Sequence, residues 1–381
     1  MTLPQVDIPH NMINLGIGQP SNDLLPLDEM KNAAAYSLSQ NSRFFLAYGA
    51  QQGNENFRDT LANFLTDQYT YPVSPDQLLI TNGNSQALDF ICHHFTKPGD
   101  TIFVEEPSYF LALKIFADYH LNVVGIPLDD HGLDADELEK QLENQKPAFI
   151  YTIPAFHNPA SITMSLKRRK RLIRICTEKN LLLIADEVYH CLSYTKEPPL
   201  SMGYWANKCP VISLGSFSKI LAPGLRLGWI QADTNLIKKF SRSALLESGG
   251  GFNPFASEIV NSFICSGGLN SHISMLKNTY RKRIEVFFSH IDKCFPSQVV
   301  SQIPSGGYFI WVKLPDHVDT KLLRQDAQKN SVNFLPGSYF ATRNRLTNYL
   351  RLSFSFYPSK ILIKGAKRLG DVIYTHLVEK S

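Results

Sequence analysis

One lysine lies among anion-binding groups in the run SFSKILAPGLRLGW, residues 216–229. Lys219 is preceded by Ser216 and Ser218, and Arg226 follows seven residues later. The apolar stretch just before this run predicts a short buried strand that enters a turn. A lysine at such a strand end, beside hydroxyl and guanidinium groups, suits a Schiff-base nucleophile held next to an anionic cofactor. The alternative is a surface loop that carries a solvated lysine.

The segment from Ser216 to Lys219 also matches the Ser-x-x-Lys pattern of penicillin-binding proteins and class A β-lactamases. Those enzymes also need Ser-Asp-Asn and Lys-Thr-Gly elements. Neither tripeptide occurs in the 381 residues. The sequence therefore favours the Schiff-base lysine over the serine nucleophile.

Apolar strands and helical patterns alternate along the chain from about residue 53. This rhythm predicts an α/β fold with a largely parallel sheet, whose ligand site lies at the carboxyl ends of the strands. Polar segments directly follow several predicted strands, so we expect these segments to meet where the carboxyl ends of the parallel strands lie. The predicted strands are Gln77–Thr81, Thr101–Glu105, Asn122–Ile126, Ala148–Thr152, Leu181–Asp186, Val211–Leu214 and Leu227–Gln231, and the polar segments are 82–85, 106–109, 154–158, 186–189 and 215–219.

Helical patterns separate these strands, and a different pattern follows them. Beyond a long predicted helix over about His272–Cys294, strands at Tyr308–Leu314 and Tyr349–Phe354 predict a smaller α+β domain. The other predicted helices are Ser85–Phe95, Tyr109–Tyr119, Asp134–Gln145 and Leu166–Glu178. We predict an N-terminal arm with part of the small domain over 1–45, a large domain over 46–275 and a small domain over 276–381.

The polar segments supply what pyridoxal phosphate requires of a protein. This cofactor needs an amine for its aldehyde, an anion for its ring nitrogen, and donors for its phenolic oxygen and its phosphate. Lys219 suits the first requirement, and Asp186, which closes an apolar strand, suits the second. Each residue alone also fits an ordinary cap, turn or half-buried position. The other candidates are Asn158 and Tyr189 for the phenolic oxygen, Tyr109 for stacking on the ring, and Asn84, Ser85, Ser216, Ser218 and Arg226 for the phosphate.

Composition argues against several other classes of protein. With 44% apolar and 19% charged residues, the chain predicts a sizeable core rather than disorder. The net charge is +4, and we expect the basic run 167–171 to be the solvated face of a helix rather than a nucleic-acid site. Six cysteines without paired spacing predict free thiols and no metal site. We find no signal peptide or membrane-spanning run, which predicts a cytoplasmic protein.

The chain resembles the fold type I pyridoxal-phosphate enzymes of the class I/II aminotransferase group, most of all the α-aminoadipate/kynurenine aminotransferase subgroup. The resemblance extends from INLGIGQPSNDLLP at 13–26 to YLRLSFSF at 349–356, through HNP, IADEVY and SFSK…PGLRLGW. It implies the aspartate aminotransferase-like fold, with a large sheet domain and a smaller α+β domain. It also implies ping-pong transfer of an amino group from an L-amino acid to a 2-oxo acid, by analogy 2-oxoglutarate.

The same resemblance implies roles for individual residues. Lys219 is implied as the Schiff-base lysine and proton shuttle, and Asp186 as the contact of the pyridinium nitrogen. Arg351 is implied to bind the substrate α-carboxylate, together with Asn158 and the backbone of Gly18. The family builds its sites in a homodimer, and the remaining implied contacts are Asn158 and Tyr189 for the phenolate, Tyr109 for stacking, Asn84, Ser85, Ser216, Ser218 and Arg226 for the phosphate, and Tyr48 for the phosphate of the partner subunit.

Two departures from the family pattern concern the local backbone. Asn158-Pro159-Ala160-Ser161 stands where Asn-Pro-Thr-Gly is usual, so a serine occupies a glycine position. Asn84-Ser85 stands where the subgroup often has Ser-Gln, which favours phosphate contacts from the backbone over contacts from side chains.

Other functions stay open at this point. The same residues would serve β-elimination in a C–S lyase. A non-catalytic aminotransferase-like sensor joined to a DNA-binding module is disfavoured, since the sequence begins almost at the substrate arm. A nicotinamide dehydrogenase is suggested only by Gly16-x-Gly18, which lacks the third glycine and the surrounding strand–helix unit. The amino donor and the role of the glycine-rich residues 249–251 are left open.

Overall fold

The computed structural model describes residues 11–40, 44–194, 199–343 and 345–378. Residues 1–10 and 41–43 of the predicted N-terminal arm therefore lie outside the described residues. The strands are β1 Ile13–Asn14, β2 Leu78–Thr81, β3 Thr101–Glu106, β4 Asn122–Asp129, β5 Gly132–Leu133, β6 Phe149–Thr152, β7 Leu182–Asp186, β8 Val211–Ser216, β9 Gly228–Ala232, β10 Val300–Ser301, β11 Phe309–Lys313, β12 Val332–Asn333, β13 Leu335–Pro336 and β14 Tyr349–Ser353.

The α-helices lie between and after these strands. They are α1 Leu27–Ser39, α2 Glu55–Tyr69, α3 Asn84–Phe95, α4 Phe110–Asp118, α5 Ala135–Asn144, α6 Leu166–Lys179, α7 Thr234–Ser241, α8 Ala244–Gly249, α9 Pro254–Cys265, α10 Gly268–Cys294, α11 Thr320–Lys329 and α12 Ser359–Val378. Asp134 and Ser165 cap α5 and α6, since their side chains accept hydrogen bonds from first-turn amides. Helix α3 has no such side-chain cap.

The large sheet has eight strands in the order β2-β9-β8-β7-β6-β3-β4-β5. Strands β3, β4, β6, β7 and β8 pair in parallel, and β2 shares their direction because both β2 and β8 are antiparallel to β9. Every residue of β2, β6 and β8 is buried. Such burial is expected where helices cover both faces of a sheet. The predicted α/β fold with a mostly parallel sheet is confirmed.

A smaller antiparallel sheet has the order β10-β11-β14-β13. It follows the long helix α10, which packs against α12. The N-terminal segment joins this part of the molecule, because β1 pairs in parallel with β12 and the amide of Ser353 donates to the carbonyl of Leu15 at 2.6 Å. The segment after β1 reaches the carboxyl end of β8, since the carbonyl of Gly18 accepts from Lys219 Nζ. The boundaries 1–45, 46–275 and 276–381 stay a prediction.

Each predicted strand of the large sheet is present, with ends within three residues of the prediction. The antiparallel edge strand β5 and helices α1, α2, α7 to α9, α11 and α12 were not assigned from the sequence. Strand β5 spans only Gly132–Leu133, which is too short for a periodic pattern.

The prediction of a solvated basic face on 167–171 is wrong for part of the run. Arg169 is buried and donates to the carbonyls of Met164, Pro154 and Leu200. Its guanidinium also lies 3.7 Å from the carboxylate of Glu187. Burial of a guanidinium is tolerated here because carbonyls and a carboxylate replace its water. Arg168 and Arg171 form ion pairs with Asp129, Asp136 and Glu139.

Three global features bear on the sequence predictions. All six cysteines carry free thiols, and four of them are buried. Across the described ranges, no helix combines the length and apolarity needed to span a bilayer. The same ranges contain no cluster of three His, Cys, Asp or Glu side chains that could bind a metal ion.

Candidate active site

The carboxyl ends of β6, β7 and β8 face a cavity of about 270 Å³. The polar segments that follow the strands meet there, as the parallel topology requires. Every predicted site residue except Tyr48 lines this cavity. They are Gly18, Asn84, Ser85, Tyr109, Asn158, Asp186, Tyr189, Ser216, Ser218, Lys219, Arg226 and Arg351.

Lys219 follows β8, and its amine lies in the cavity. The side chain is half-buried, with protein packed densely around it. Its Nζ donates to a neutral acceptor, the carbonyl oxygen of Gly18, at 2.7 Å. Burial, together with the positive charges of Arg351 and Arg226, lowers the pKa of Lys219 from 10.5 to about 8, although Asp186 opposes the shift. Part of the amine is therefore neutral, and nucleophilic, near neutral pH.

Asp186 ends β7 and is buried. Its two carboxylate oxygens accept hydrogen bonds from Tyr151 Oη at 2.9 Å and from Asn84 Nδ2 at 2.8 Å. Burial raises the pKa of Asp186, and these two donors oppose the rise because they stabilise the carboxylate. The side chain of Asn84, predicted as a phosphate contact, thus faces the carboxylate. Its Oδ1 is buried without a hydrogen-bond partner.

Two predicted phenols stand on the wall of the cavity. Tyr109 precedes the first turn of α4, and burial raises its pKa to about 12. Tyr189 is buried, and its ring meets those of Tyr308 and Phe309 edge-on, with centroids 5.3 and 5.9 Å away. Burial also raises the pKa of Tyr189 well above 10. Both hydroxyls therefore stay protonated at neutral pH and can donate hydrogen bonds.

An anion-binding cradle is formed where α3 begins. Gly83 precedes the helix with φ +80°, and a Cβ at this position would lie 3.1 Å from Nη2 of Arg226. The exposed guanidinium of Arg226 donates to the carbonyl of Asn82 at 3.3 Å. The hydroxyls of Ser216 and Ser218 are hydrogen-bonded to each other at 3.0 Å. Uncapped helix amides, two hydroxyls and a guanidinium together favour a bound anion such as a phosphate.

Arg351 lies on β14 and is buried. Its Nη1 donates to Asn158 Oδ1 at 2.8 Å and its Nη2 to the carbonyl of Gly16 at 2.7 Å. The guanidinium carbon is 3.9 Å from the ring centre of Phe309 and 5.0 Å from that of Phe340. Burial lowers the pKa of Arg351 to about 10, so it stays charged at neutral pH, and its Nε has no hydrogen-bond partner. A carboxylate is the natural ligand of such a planar fork.

Tyr48 lies outside the cavity, with 88% of its surface exposed. The segment around it contacts the glycine-rich residues whose role the sequence left open. A Cβ on Gly250 would lie 2.2 Å from the carbonyl oxygen of Gly49, and one on Gly251 would lie 2.4 Å from that of Ala50. These glycines permit the two backbones to touch. The contact of Tyr48 with a partner subunit stays a prediction.

Residues 10–365 match the sequence profile described as Aminotransferase class I and II. The chain belongs to this family. The match covers far more than half of the sequence, and it confirms the resemblance inferred from the lysine, aspartate and asparagine motifs. Pyridoxal phosphate is the cofactor of this family, as predicted.

Two relatives and one solved structure that this chain resembles are aminotransferases. The aminotransferase is 35% identical to aromatic-amino-acid aminotransferase 1 of Thermococcus litoralis, over 95% of this chain and 88% of the relative. It is 29% identical to the 2-aminoadipate transaminase of Thermus thermophilus, over 93% of this chain and 88% of that protein. The crystal structure of a kynurenine aminotransferase from Pyrococcus horikoshii superposes with a TM-score of 0.91 at 33% identity, covering 96% of this chain and 92% of that one. The predicted fold is thereby confirmed.

The residues of the aminotransferase cavity fit the cofactor. The uncapped start of α3 and Arg226 provide the cationic cradle that a phosphate needs. Asp186 is a buried carboxylate of the kind that pairs with a protonated ring nitrogen, and Lys219 is an amine with a lowered pKa. Buried polar atoms without partners, Asn84 Oδ1 and Arg351 Nε, leave hydrogen-bonding capacity for a ligand.

Several residues at this site were not found by sequence reasoning. Tyr151 donates to Asp186, and Tyr308 Oη donates to the backbone carbonyl of Lys219 at 2.8 Å. Phe309 and Phe340 enclose the guanidinium of Arg351. Tyr151 could have been found from its position on β6, because β6 pairs with β7, the strand that ends at Asp186. Phe309 carried no local signal, because its role depends on the pairing of β11 with β14.

Proposed function

We propose that this aminotransferase transfers the amino group of an L-amino acid with an aromatic or other apolar side chain to a 2-oxo acid, with 2-oxoglutarate as the acceptor. The transfer proceeds in two half-reactions, in which each substrate binds and leaves in turn. One observation carries the proposal: the amine of Lys219, with a pKa lowered to about 8, shares one cavity with the Asp186 carboxylate and the Arg351 guanidinium.

Pyridoxal phosphate, when bound, supplies an aldehyde that condenses with amines and a ring that withdraws electrons from the substrate α-carbon. Lys219 Nζ accepts the α-proton and returns it, since its lowered pKa leaves part of the amine neutral. Asp186 holds the ring nitrogen in its protonated form through its negative charge. Tyr151 and Asn84 keep that carboxylate ionised by donating to it. Arg351 binds the α-carboxylate and thereby orients the α-carbon toward Lys219.

The lining of the cavity supports an apolar donor. A carboxylate bound at Arg351 leaves the rest of the substrate against a mostly apolar wall, where burial of an aromatic or aliphatic side chain is favourable. The similarity to the aromatic-amino-acid aminotransferase of Thermococcus litoralis supports the same donor class. The apolar residues of the wall are Leu88, Phe110, Leu111, Ile153, Val188, Pro223 and Phe309.

We also propose that the aminotransferase works as a cytoplasmic homodimer with the site at the interface. The exposed position of Tyr48, beside exposed apolar side chains of α1 and α9, supports a contact with a second copy. Six free thiols support a reducing compartment. Small-molecule amino acids and oxo acids are the expected partners, without nucleic acid or membrane.

The test of the proposed function is the substitution Lys219→Ala. We expect the variant to keep its fold and to bind pyridoxal phosphate through the phosphate cradle, but to lose transamination, because no other amine takes its role. Activity is measured with a panel of amino acids and 2-oxoglutarate, and cofactor binding by absorbance. Borohydride reduction of the parent should fix the cofactor on residue 219. The exposed Lys321→Ala serves as the matched control.

Undiminished transamination by Lys219→Ala, or a borohydride adduct on another lysine, would contradict the assignment. The C–S lyase alternative is tested on the same preparations. Release of pyruvate from cysteine conjugates without any 2-oxo acid would indicate β-elimination, whereas strict dependence on the acceptor supports transamination.

A further inference from the structure

The loop between β6 and α6 contains the serine that replaces the usual glycine of the family motif. Ser161 has φ +62°, in the left-handed region that glycine adopts most easily. Its amide donates to the carbonyl of His157 at 2.7 Å, which closes the turn. The serine therefore keeps the backbone conformation suited to glycine, although a Cβ makes that conformation less favourable. A compensating contact of the side chain would offset this cost.

The hydroxyl of Ser161 provides that contact. Its Oγ donates to the carbonyl oxygen of Phe309 at 2.7 Å and lies 3.4 Å from the carbonyl of Pro159. The shorter bond connects the loop of the large sheet to the first residue of β11 in the small sheet. A glycine would keep the turn, but it has no hydroxyl to make this connection.

The two segments joined by this hydrogen bond both contact the guanidinium of Arg351. On one side, Asn158 lies three residues before Ser161 in the loop, and its Oδ1 accepts from Arg351 Nη1 at 2.8 Å. On the other side, the ring of Phe309 lies 3.9 Å from the guanidinium carbon of Arg351. Strand β11 also pairs with β14, where Trp311 is the register partner of Arg351. The Ser161 bond thus fixes the spacing of two supports that hold Arg351 from different sheets.

We propose that Ser161 is a positioning residue for the substrate carboxylate. Its hydroxyl holds the loop against β11, so that Arg351 keeps the orientation in which it receives a carboxylate. A binding group that is held in place before the ligand arrives loses less conformational freedom on binding. This inference rests on the proposed role of Arg351 as the carboxylate-binding residue.

The inference has a specific kinetic consequence. Both the amino acid and the 2-oxo acid carry the carboxylate that Arg351 receives, so both half-reactions should show a raised KM without Ser161. The proton transfer at Lys219 should continue at nearly the parental rate, since the hydroxyl of Ser161 hydrogen-bonds to backbone carbonyls of Phe309 and Pro159 rather than to Lys219 or Asp186. Loss of one neutral hydrogen bond corresponds to about a three- to tenfold change in affinity.

The experiment compares Ser161→Gly and Ser161→Ala with the parent holoenzyme. Glycine removes the hydroxyl and relaxes the backbone, whereas alanine removes the hydroxyl and keeps the Cβ. We expect both variants to bind 3-phenylpropionate, a carboxylate without an amino group, about three- to tenfold more weakly by calorimetric titration. Both should also raise the KM of donor and acceptor while kcat stays within about twofold of the parent.

Two further variants separate the possible explanations. Thr163→Val removes a hydrogen bond within the same loop, from the amide of Phe156 at 3.2 Å, without touching β11, and should leave the affinity for 3-phenylpropionate unchanged. Arg351→Lys should lower the affinity for 3-phenylpropionate more than either Ser161 variant does.

If both Ser161 variants keep the parental affinity for 3-phenylpropionate while Arg351→Lys loses it, the positioning role of Ser161 is overturned and the proposed role of Arg351 stands. Unchanged affinity in Arg351→Lys would overturn the proposed role of Arg351. A fall in kcat without a change in KM would also overturn the positioning role.

Discussion

Three cations, Lys219, Arg226 and Arg351, share the cavity with the carboxylate of Asp186. The buried groups among them are held by neutral partners. Lys219 donates to the carbonyl of Gly18, Arg351 donates to that of Gly16, and Asp186 accepts from Tyr151. Because neutral partners cancel no charge, the cavity keeps a positive balance that attracts anionic ligands. Burial lowers the pKa of Lys219 most, and the positive charges of Arg351 and Arg226 lower it further because they disfavour its protonation.

The reactivity of Lys219 should follow this electrostatic arrangement. In the cofactor-free protein, acetylation of Lys219 by acetic anhydride should rise with pH around a midpoint near 8, rather than near the 10.5 of an unperturbed lysine. Arg351→Met should move the midpoint upward, because a neighbouring cation is removed. Asp186→Asn should move it downward, because a stabilising anion is removed. Peptide mass spectrometry measures each midpoint, and a midpoint unmoved by either substitution would contradict the arrangement.

Tyr151 should matter because it favours the ionised form of Asp186. In Tyr151→Phe the pKa of Asp186 rises further, so the carboxylate is protonated at a higher pH as the solution is acidified. We expect the acid limb of the kcat profile to move to higher pH, with kcat at neutral pH lowered about three- to tenfold. Tyr119→Phe is the matched control, since Tyr119 also donates to a carboxylate, that of Asp89, but on the surface. An acid limb that stays in place would show that Tyr151 only packs against β7.

At the scale of the element, the start of α3 shapes the end of the cavity that we propose binds the cofactor phosphate. The helix begins after Gly83 without a capping side chain, so its first amides are available to a ligand. Gly83 has a positive φ and lies against the guanidinium of Arg226. Any side chain here would push on the cation that completes the cradle.

Gly83→Ala should therefore weaken cofactor binding specifically. The added Cβ lies 3.1 Å from Arg226 Nη2, and with ψ 173° the positive φ adds about 1–3 kcal/mol of strain. Gly99→Ala is a close control, because Gly99 has φ +90° but a Cβ there has no neighbour within 4 Å. We expect both variants to lose stability in thermal unfolding, and Gly83→Ala alone to lose affinity for pyridoxal phosphate by about tenfold or more. Equal affinities in the two variants would contradict the cradle.

The strands and the residues at their ends were predictable because local patterns determine them. Asp186 closes an apolar run, and Lys219 follows another, so parallel topology alone brings both to one edge. The supports of Arg351 were not predictable in this way. Phe309 and Asn158 are far apart in sequence, and they meet only because the small antiparallel sheet packs beside the loop after β6. The buried Arg169 was misjudged because a basic run has no apolar signal that marks one member as internal.

For the whole molecule, seven exposed apolar side chains belong to neighbouring segments of the chain, which we name together the α1–α9 face. Its members belong to α1, the segment after it, α8 and α9, and α1 packs directly on α9. A patch of this kind usually marks a protein contact, and Tyr48 belongs to it. The residues of the α1–α9 face are Leu27, Tyr36, Leu38, Leu46, Tyr48, Leu245 and Phe255.

A charge placed on the α1–α9 face should separate the subunits and weaken cofactor binding together. Tyr36 on α1 is 62% exposed, and Tyr36→Asp would bury an unpaired carboxylate in a dimer, which is costly. Tyr374→Asp on α12 is the matched control, since Tyr374 is 63% exposed but lies outside this face. We expect light scattering to find the parent and Tyr374→Asp as dimers and Tyr36→Asp as a monomer. The monomer should also bind pyridoxal phosphate more weakly, because in the proposed dimer Tyr48 reaches the phosphate site of the partner subunit. Tyr48→Phe should weaken binding without changing the mass. A Tyr36→Asp dimer, or a monomer with full cofactor affinity, would contradict a site completed by two subunits.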